Sequence, residues 1–133
     1  MGGDGDDRAV VLVVDDDRDH LLMLEAVLGS VGYEVLTACS RAEGRAVLER
    51  RQIDALVADL SLGDGTAPDL LAQLPATQRP RVALVLSGFD GAEDVERTLE
   101  AGFDGHLGKP TAIDELRAAI TEGLTRRPSR PVA

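Results

Sequence analysis

Aromatic side chains are nearly missing from this chain: 133 residues hold no tryptophan, one tyrosine and two phenylalanines. Hydrophobic residues still make up 44%, so a core is available, and it must be aliphatic. Cysteine is equally scarce. Cys39 stands alone, which excludes an internal disulfide and a cysteine-based metal site. It reads as a small packed residue near the end of a strand. No apolar run approaches the ~20 residues of a membrane-spanning helix. The glycine- and aspartate-rich opening, Met1 to Asp7, has none of the features of a signal peptide. Positive charge is also short, with 14 Lys and Arg against 24 Asp and Glu, a net −10. That balance argues against direct binding to nucleic acid or an anionic membrane. The length fits one domain. These absences together suit a soluble cytoplasmic protein.

What is present begins with a junction. The run Val10-Val11-Leu12-Val13-Val14 leads straight into Asp15-Asp16-Asp17. A continuous β-branched run has the pattern of a strand buried on both faces, as in a parallel sheet. Carboxylates stacked at its end repel one another, more strongly if buried, unless something positive compensates. Mg²⁺, which takes one or two carboxylates plus water and phosphate oxygens, is the natural candidate. Taken alone, the same segment also reads as a solvated strand end with a helix cap.

Strand and helix patterns then alternate. A helix capped by Asp17 carries Leu21, Leu22, Leu24, Ala26, Val27 and Leu28 on its apolar side and ends near Gly29 and Gly32. Tyr33–Thr37 is a second strand. Ser40 with Glu43 forms a capping-box pattern for a second helix, whose apolar face uses Ala42, Ala46 and Val47. Ala55–Ala58 is a third strand ending at Asp59, followed by a Gly63-Asp64-Gly65 turn and a short helix through Leu70, Leu71 and Leu74. Arg81–Leu86 is a fourth strand, ending at Ser87. A helix through Val95 and Leu99 and a short fifth strand, Phe103–Leu107, lead to Lys109-Pro110. A last helix, about Ala112–Gly123, turns Ile113, Leu116, Ala119, Ile120 and Leu124 to the core. Five strand-then-helix units imply an α/β fold with a mostly parallel sheet covered on both sides. The expected organisation is a flexible acidic leader at 1–7, a domain at 8–124 and a disordered tail at 125–133.

Ligands of such sheets sit beyond the carboxyl ends of the strands. There the sequence supplies Asp15 and Asp16, Asp59, Ser87 and Lys109. Carboxylates can hold a divalent metal, an ammonium and a hydroxyl can hold phosphoryl oxygens, and a carboxylate facing both can attack phosphorus. Each residue alone has a plainer reading as a turn, a loop start or a surface lysine. Their recurrence at one end of successive strands is what carries weight.

Four segments, VVLVVDDD, DALVADLSLGDG, VALVLSGFD and AGFDGHLGKP, occur in the order and at the separations of a response-regulator receiver domain of bacterial two-component systems. The chain resembles that family over about Arg8 to Leu124, with likeness to single-domain chemotaxis regulators and to receivers of hybrid histidine kinases. The resemblance implies a doubly wound, flavodoxin-like receiver fold with strand order 2-1-3-4-5. It implies that Asp59 is the phosphoacceptor of a phosphorelay, taking its phosphoryl group from a histidine kinase or phosphotransfer protein. Asp15, Asp16, Asp59 and the backbone carbonyl of Ser61 would hold Mg²⁺. Ser87 would bond the phosphoryl group and shift toward it. Lys109 would pair with a phosphoryl oxygen, with a cis Lys109–Pro110 bond. Output would pass to a downstream protein through the face of helix four, strand five and helix five, with no nucleic acid or membrane contacted directly. Phosphorylation-dependent dimerisation is left open, since some members of the family dimerise and others stay monomeric. Enzymatic activity would be limited to self-phosphorylation and self-dephosphorylation.

Several positions depart from the usual pattern. His106 stands where an aromatic residue often acts as a rotameric switch. Gly63 replaces a frequent proline, which suggests a looser loop. Ser61 and Phe89 fall where the family tunes the lifetime of the acyl phosphate. His20 lies at the start of the first helix with no metal-ligand spacing and reads as a solvated residue. Three other functions compete. A phosphorylation-independent receiver-like interaction module would not need the full acidic set. A flavin or nucleotide binder on this topology would need a Gly/Ser/Thr-rich loop where three aspartates stand. A haloacid-dehalogenase-like phosphatase fits the spacing of Asp15 and Asp17 but finds neither cap nor further acidic motif in 133 residues.

Overall fold

The structure is a computed structural model and describes residues 8–88, 92–109 and 113–127, with the side chains of residues 92–94 left aside. The expected leader at 1–7, Phe89, Pro110 and residues 128–133 lie outside the described residues. The chain alternates β1 (Val10–Val14), α1 (Arg18–Ser30), β2 (Glu34–Ala38), α2 (Arg41–Arg50), β3 (Ala55–Asp59), α3 (Ala67–Ala72), a 3₁₀ turn (Ala76–Gln78), β4 (Val82–Ser87), α4 (Ala92–Glu100), β5 (Gly105–Gly108) and α5 (Ile113–Arg126). The five strands form one parallel sheet in the order β2-β1-β3-β4-β5, as expected. Among the described residues no helix is long and apolar enough to cross a membrane.

Alternation along the strands explains why they look uniformly apolar. Val10, Leu12, Val14, Leu56, Ala58, Ala83 and Val85 face one layer, with Leu48, Leu70, Leu71, Leu74 and Phe103. Val11, Val13, Ala55, Val57, Val82, Leu84 and Leu86 face the other, with Leu21, Leu24, Leu28, Leu116 and Ile120. A strand covered on both faces must be hydrophobic at every position. Two glycines let helices close on the sheet. A Cβ at Gly123 of α5 would lie 2.5 Å from Val82 Cγ2, and one at Gly44 of α2 would lie 3.0 Å from Val14 Cγ2.

The helix faces differ in part from their sequence patterns. In α1, Leu21, Leu24 and Leu28 are buried while Leu22 and Ala26 are exposed. In α2 the inward residues are Gly44 and Leu48, and Ala42 faces solvent. In α4 it is Thr98 that is buried, and Leu99 is exposed. Residue type alone does not set a helix's rotation when aliphatics surround it; the three- and four-residue spacing does. Ser40 caps α2 by accepting the Glu43 N–H at 3.1 Å, but the Glu43 carboxylate turns to the Cys39 N–H at 2.9 Å instead of closing the box. The reciprocal box forms at α3, between Thr66 and Asp69. Helix α5 runs past its expected end at Gly123 to Arg126. Arg81 satisfies its last carbonyls, donating to Leu124 O at 3.1 Å and Arg127 O at 2.7 Å.

Candidate functional site

The pocket is built at the carboxyl end of the sheet by local turns. Asp15 extends β1 by one bond, its N–H donating to Ala38 O at 3.1 Å, and is 2% exposed. Asp17 turns away to cap α1, accepting the N–H of Asp19 at 3.0 Å and of His20 at 3.3 Å. That leaves Asp15 and Asp16 at the pocket. Asp59 ends β3, with its side chain 17% exposed. One ligand oxygen from each of Asp15, Asp16 and Asp59 lies within 4.8 Å of the others. Lys109, directly after β5, places Nζ 3.1 Å from Asp59 Oδ1 and 3.7 Å from Asp15 Oδ2. Ser87 is buried at the end of β4, and its carbonyl accepts the Lys109 N–H at 2.8 Å, so the two residues are locked side by side.

Electrostatics mark Asp59. Burial pushes its carboxyl above the ordinary aspartate range, Lys109 pulls it back through a hydrogen bond and its charge, and the Asp15 charge adds to the rise. Among the described residues its hydrogen-bond partners, Leu60 N–H at 3.1 Å and Lys109, both fall on Oδ1. Three carboxylates face one ammonium in a half-dry cleft. An all-oxygen donor set with an uncompensated negative charge suits a hard divalent cation, and the group formed by Asp15, Asp16 and Asp59 could hold one.

The loop after Asp59 is pinned, against the looseness that Gly63 suggested. Leu62 N–H donates to Gly65 O at 2.9 Å, with Gly63 and Gly65 at φ +84° and +153°. The Asp64 carboxylate accepts the Arg41 and Ala42 N–H groups at 2.8 and 3.1 Å, tying the loop to the start of α2. Those two bonds, the Arg41 one first, hold Asp64 below the usual carboxylate range despite the opposing effect of burial. Ser61 is exposed and pairs with Thr66 in an antiparallel bridge.

His20 corrects the sequence reading. Its Nδ1 hydrogen-bonds Asp15 Oδ2, so it belongs to the pocket and is no solvated bystander. The signal was its place: third after the cap Asp17, where a helical side chain reaches back over the first turn. His106 sits in β5 opposite Val85, with Nδ1 3.3 Å from the hydroxyl of buried Thr98 on α4. Thr98 is the second residue the sequence reading passed over, since a threonine among helical polar residues carries no signal of its own. Cys39 is part-buried as expected, and a hydrogen bond to Glu43 raises its thiol above the ordinary range.

Comparison with known proteins agrees with this geometry. The model of the response regulator receiver domain matches residues 11–121. The transcriptional regulatory protein PrrA of Mycobacterium tuberculosis is 37% identical over 119 residues, covering 90% of this chain and 51% of PrrA. The chain spans about a quarter to a half of the length of the curated relatives it matches (26% and 51%). Among solved structures, a CheY-like response regulator receiver domain protein from Methanospirillum hungatei superposes with a TM-score of 0.83 at 29% identity, covering 91% of this chain and 97% of its own. A response regulator protein from Burkholderia pseudomallei, solved with a phosphorylated aspartic acid, calcium ion and citrate, gives a TM-score of 0.79 at 25% identity, covering 90% of this chain and 71% of its own. The chain belongs to the response regulator receiver domain family of two-component systems.

Proposed function

We propose that this receiver is a phosphoacceptor that takes a phosphoryl group onto the Asp59 carboxylate from a histidine kinase or phosphotransfer protein, and that the modification switches its binding to a downstream protein. One observation carries the reading: Asp59, Asp15 and Asp16 crowd within 4.8 Å, with the Lys109 ammonium 3.1 Å from Asp59. An anionic nucleophile meeting an anionic donor must overcome repulsion, and that arrangement is suited to cancel it. Asp15, Asp16, Asp59 and the Ser61 carbonyl would hold Mg²⁺, whose charge would neutralise phosphoryl oxygens. Lys109 pairs with a phosphoryl oxygen, holding it beside Asp59. Ser87 donates its hydroxyl to another oxygen once the group is on. Ser61 and Phe89 tune how readily water reaches the acyl phosphate. The phosphorylated-aspartate relative from Burkholderia pseudomallei supports the same chemistry in a related fold.

Transmission runs through Ser87 to β5 and α4, where His106 and Thr98 meet. His106 serves as the switch in a smaller and more polar form than tyrosine or phenylalanine, and the α4–β5–α5 face is the readout surface. Residues 8–124 form the receiver unit, acting in the cytoplasm. The curated relatives are transcriptional regulatory proteins, so a receiver of this kind can serve gene control within a longer protein. The net −10 of this chain does not suit DNA itself.

The test is incubation with a small phosphodonor, with and without Mg²⁺, followed by intact mass. A gain of one phosphoryl group that requires Mg²⁺ and disappears in Asp59→Asn is expected. No gain under any condition would favour the phosphorylation-independent interaction module.

A further inference from the structure

The proposed reaction assigns no task to the imidazole that touches its most buried carboxylate. Asp15 has both oxygens engaged. Oδ1 accepts the Asp17 N–H at 2.9 Å, and Oδ2 meets His20 Nδ1, with Lys109 Nζ 3.7 Å away. A carboxylate anchored on one oxygen can still rotate about its last bond; anchored on both, its plane is fixed. His20 is itself placed by the cap of α1. Its backbone N–H bonds Asp17 Oδ1 at 3.3 Å, and the residue borders a groove of about 260 Å³ that is also lined by Leu24, Leu86, Ile113 and Leu116. The first turn of α1 therefore presents the ring to Asp15.

The imidazole also stands beside the carboxylate trio, not within it. Among the described residues the ligand atoms that lie mutually within 4.8 Å come from Asp15, Asp16 and Asp59 only. An ionised carboxylate offers about four acceptor positions. An N–H bonded to Oδ2 can thus coexist with a cation, or a cation-bound water, on the same group. Second-shell hydrogen bonds of this type orient ligands and sharpen affinity.

We propose that His20 is a positioning residue of the divalent-cation site, fixing the Asp15 carboxylate through its Nδ1–H and so raising the affinity of the pocket for Mg²⁺. This rests on the reading of the pocket as a cation site. The test is a Mg²⁺ titration of the full ¹⁵N-labelled chain, followed by amide shifts, at a single pH. The chain is compared with His20→Leu, His20→Asn and Asp16→Ala, each first shown to fold by its amide spectrum. The wild-type chain should bind and Asp16→Ala should not, which establishes the pocket independently of His20. His20→Leu keeps a side chain at the groove but loses the donor, and should bind at least about tenfold more weakly. His20→Asn places an N–H where Nδ1–H stood and should recover to within about threefold of wild type. Equal or tighter binding by His20→Leu would overturn the proposal while leaving the cation site intact. So would a His20→Asn protein as weak as His20→Leu, since the ring's packing would then be what matters. If wild type binds no Mg²⁺, both this inference and the cation reading fall.

Discussion

The two edges of the sheet bury carboxylates in opposite ways. At the amino-terminal edge the acids Asp54 and Asp104 each meet a backbone N–H and an arginine. Asp54, 6% exposed, accepts the Val10 N–H at 2.8 Å and the Arg81 guanidinium at 3.1 Å. Asp104 accepts the Ala83 N–H at 2.8 Å and Arg127 at 2.9 Å. Two acids meet two arginines, and the arginines go on to close the carbonyls of α5 and of Arg81 itself. At the carboxyl-terminal edge three acids share one lysine, with His20 on the innermost. Balanced charge ties elements together and has no capacity left for a ligand. Unbalanced charge leaves a site that a cation and a phosphoryl group can complete. One edge is braced by paired charge, and the other keeps an excess of negative charge.

The largest effect that separates the edges should come from Arg81→Ala. Leaving Asp54 buried without its cation should cost about 3 kcal/mol in denaturant unfolding, while the rate of phosphoryl uptake stays within about twofold. A parallel loss of uptake would break the comparison, because the two edges would then not be separable. Next is Lys109→Met, which removes the chain's one lysine and with it the ammonium beside Asp59. Uptake from a small phosphodonor should slow about a hundredfold, with less destabilisation than Arg81→Ala.

A smaller effect concerns the desolvation of Asp59. Because burial raises the Asp59 pKa in the folded state, its contribution to stability is fullest below the ordinary aspartate range. It is lost as pH rises through the raised folded value. Without Mg²⁺, Asp59→Asn should therefore melt a few degrees higher than wild type at neutral pH, and the gap should close as the pH is lowered. A melting point below wild type would mean that the Lys109 pair outweighs the desolvation. The smallest effect is at Asp64, whose folded pKa is lowered. Its contribution is present above the ordinary range and lost as pH falls through the depressed value. Asp64→Ala should lower the melting point by roughly 1–2 °C at neutral pH and by less in acid.

Much of this was legible in the chain. Val10–Val14 and Val82–Leu86 announce strands covered on both faces, and a parallel sheet puts their following residues at one edge, so Asp15, Asp59, Ser87 and Lys109 converge without any contact being known. What periodicity could not supply was contact made by turns. His20 reaches Asp15 only because Asp17, not Asp16, caps α1. Glu43 prefers the Cys39 N–H over the cap it was matched to. Helix α5 runs on to Arg126 because Arg81, 43 residues before Leu124, reaches its carbonyls. Leu22 and Leu99 were read inward by residue type; the packing keeps Leu21 inward but exposes Leu22, and it buries Thr98 in place of Leu99.

The measurement closest to the central claim is the location of the phosphoryl group. Borohydride reduction of the phosphorylated chain converts an aspartyl phosphate to homoserine, which peptide mass mapping locates. Homoserine at position 59, formed only when Mg²⁺ was present during phosphorylation, is the predicted result. Homoserine at position 15 or 16 instead, or labelling independent of Mg²⁺, would contradict the account.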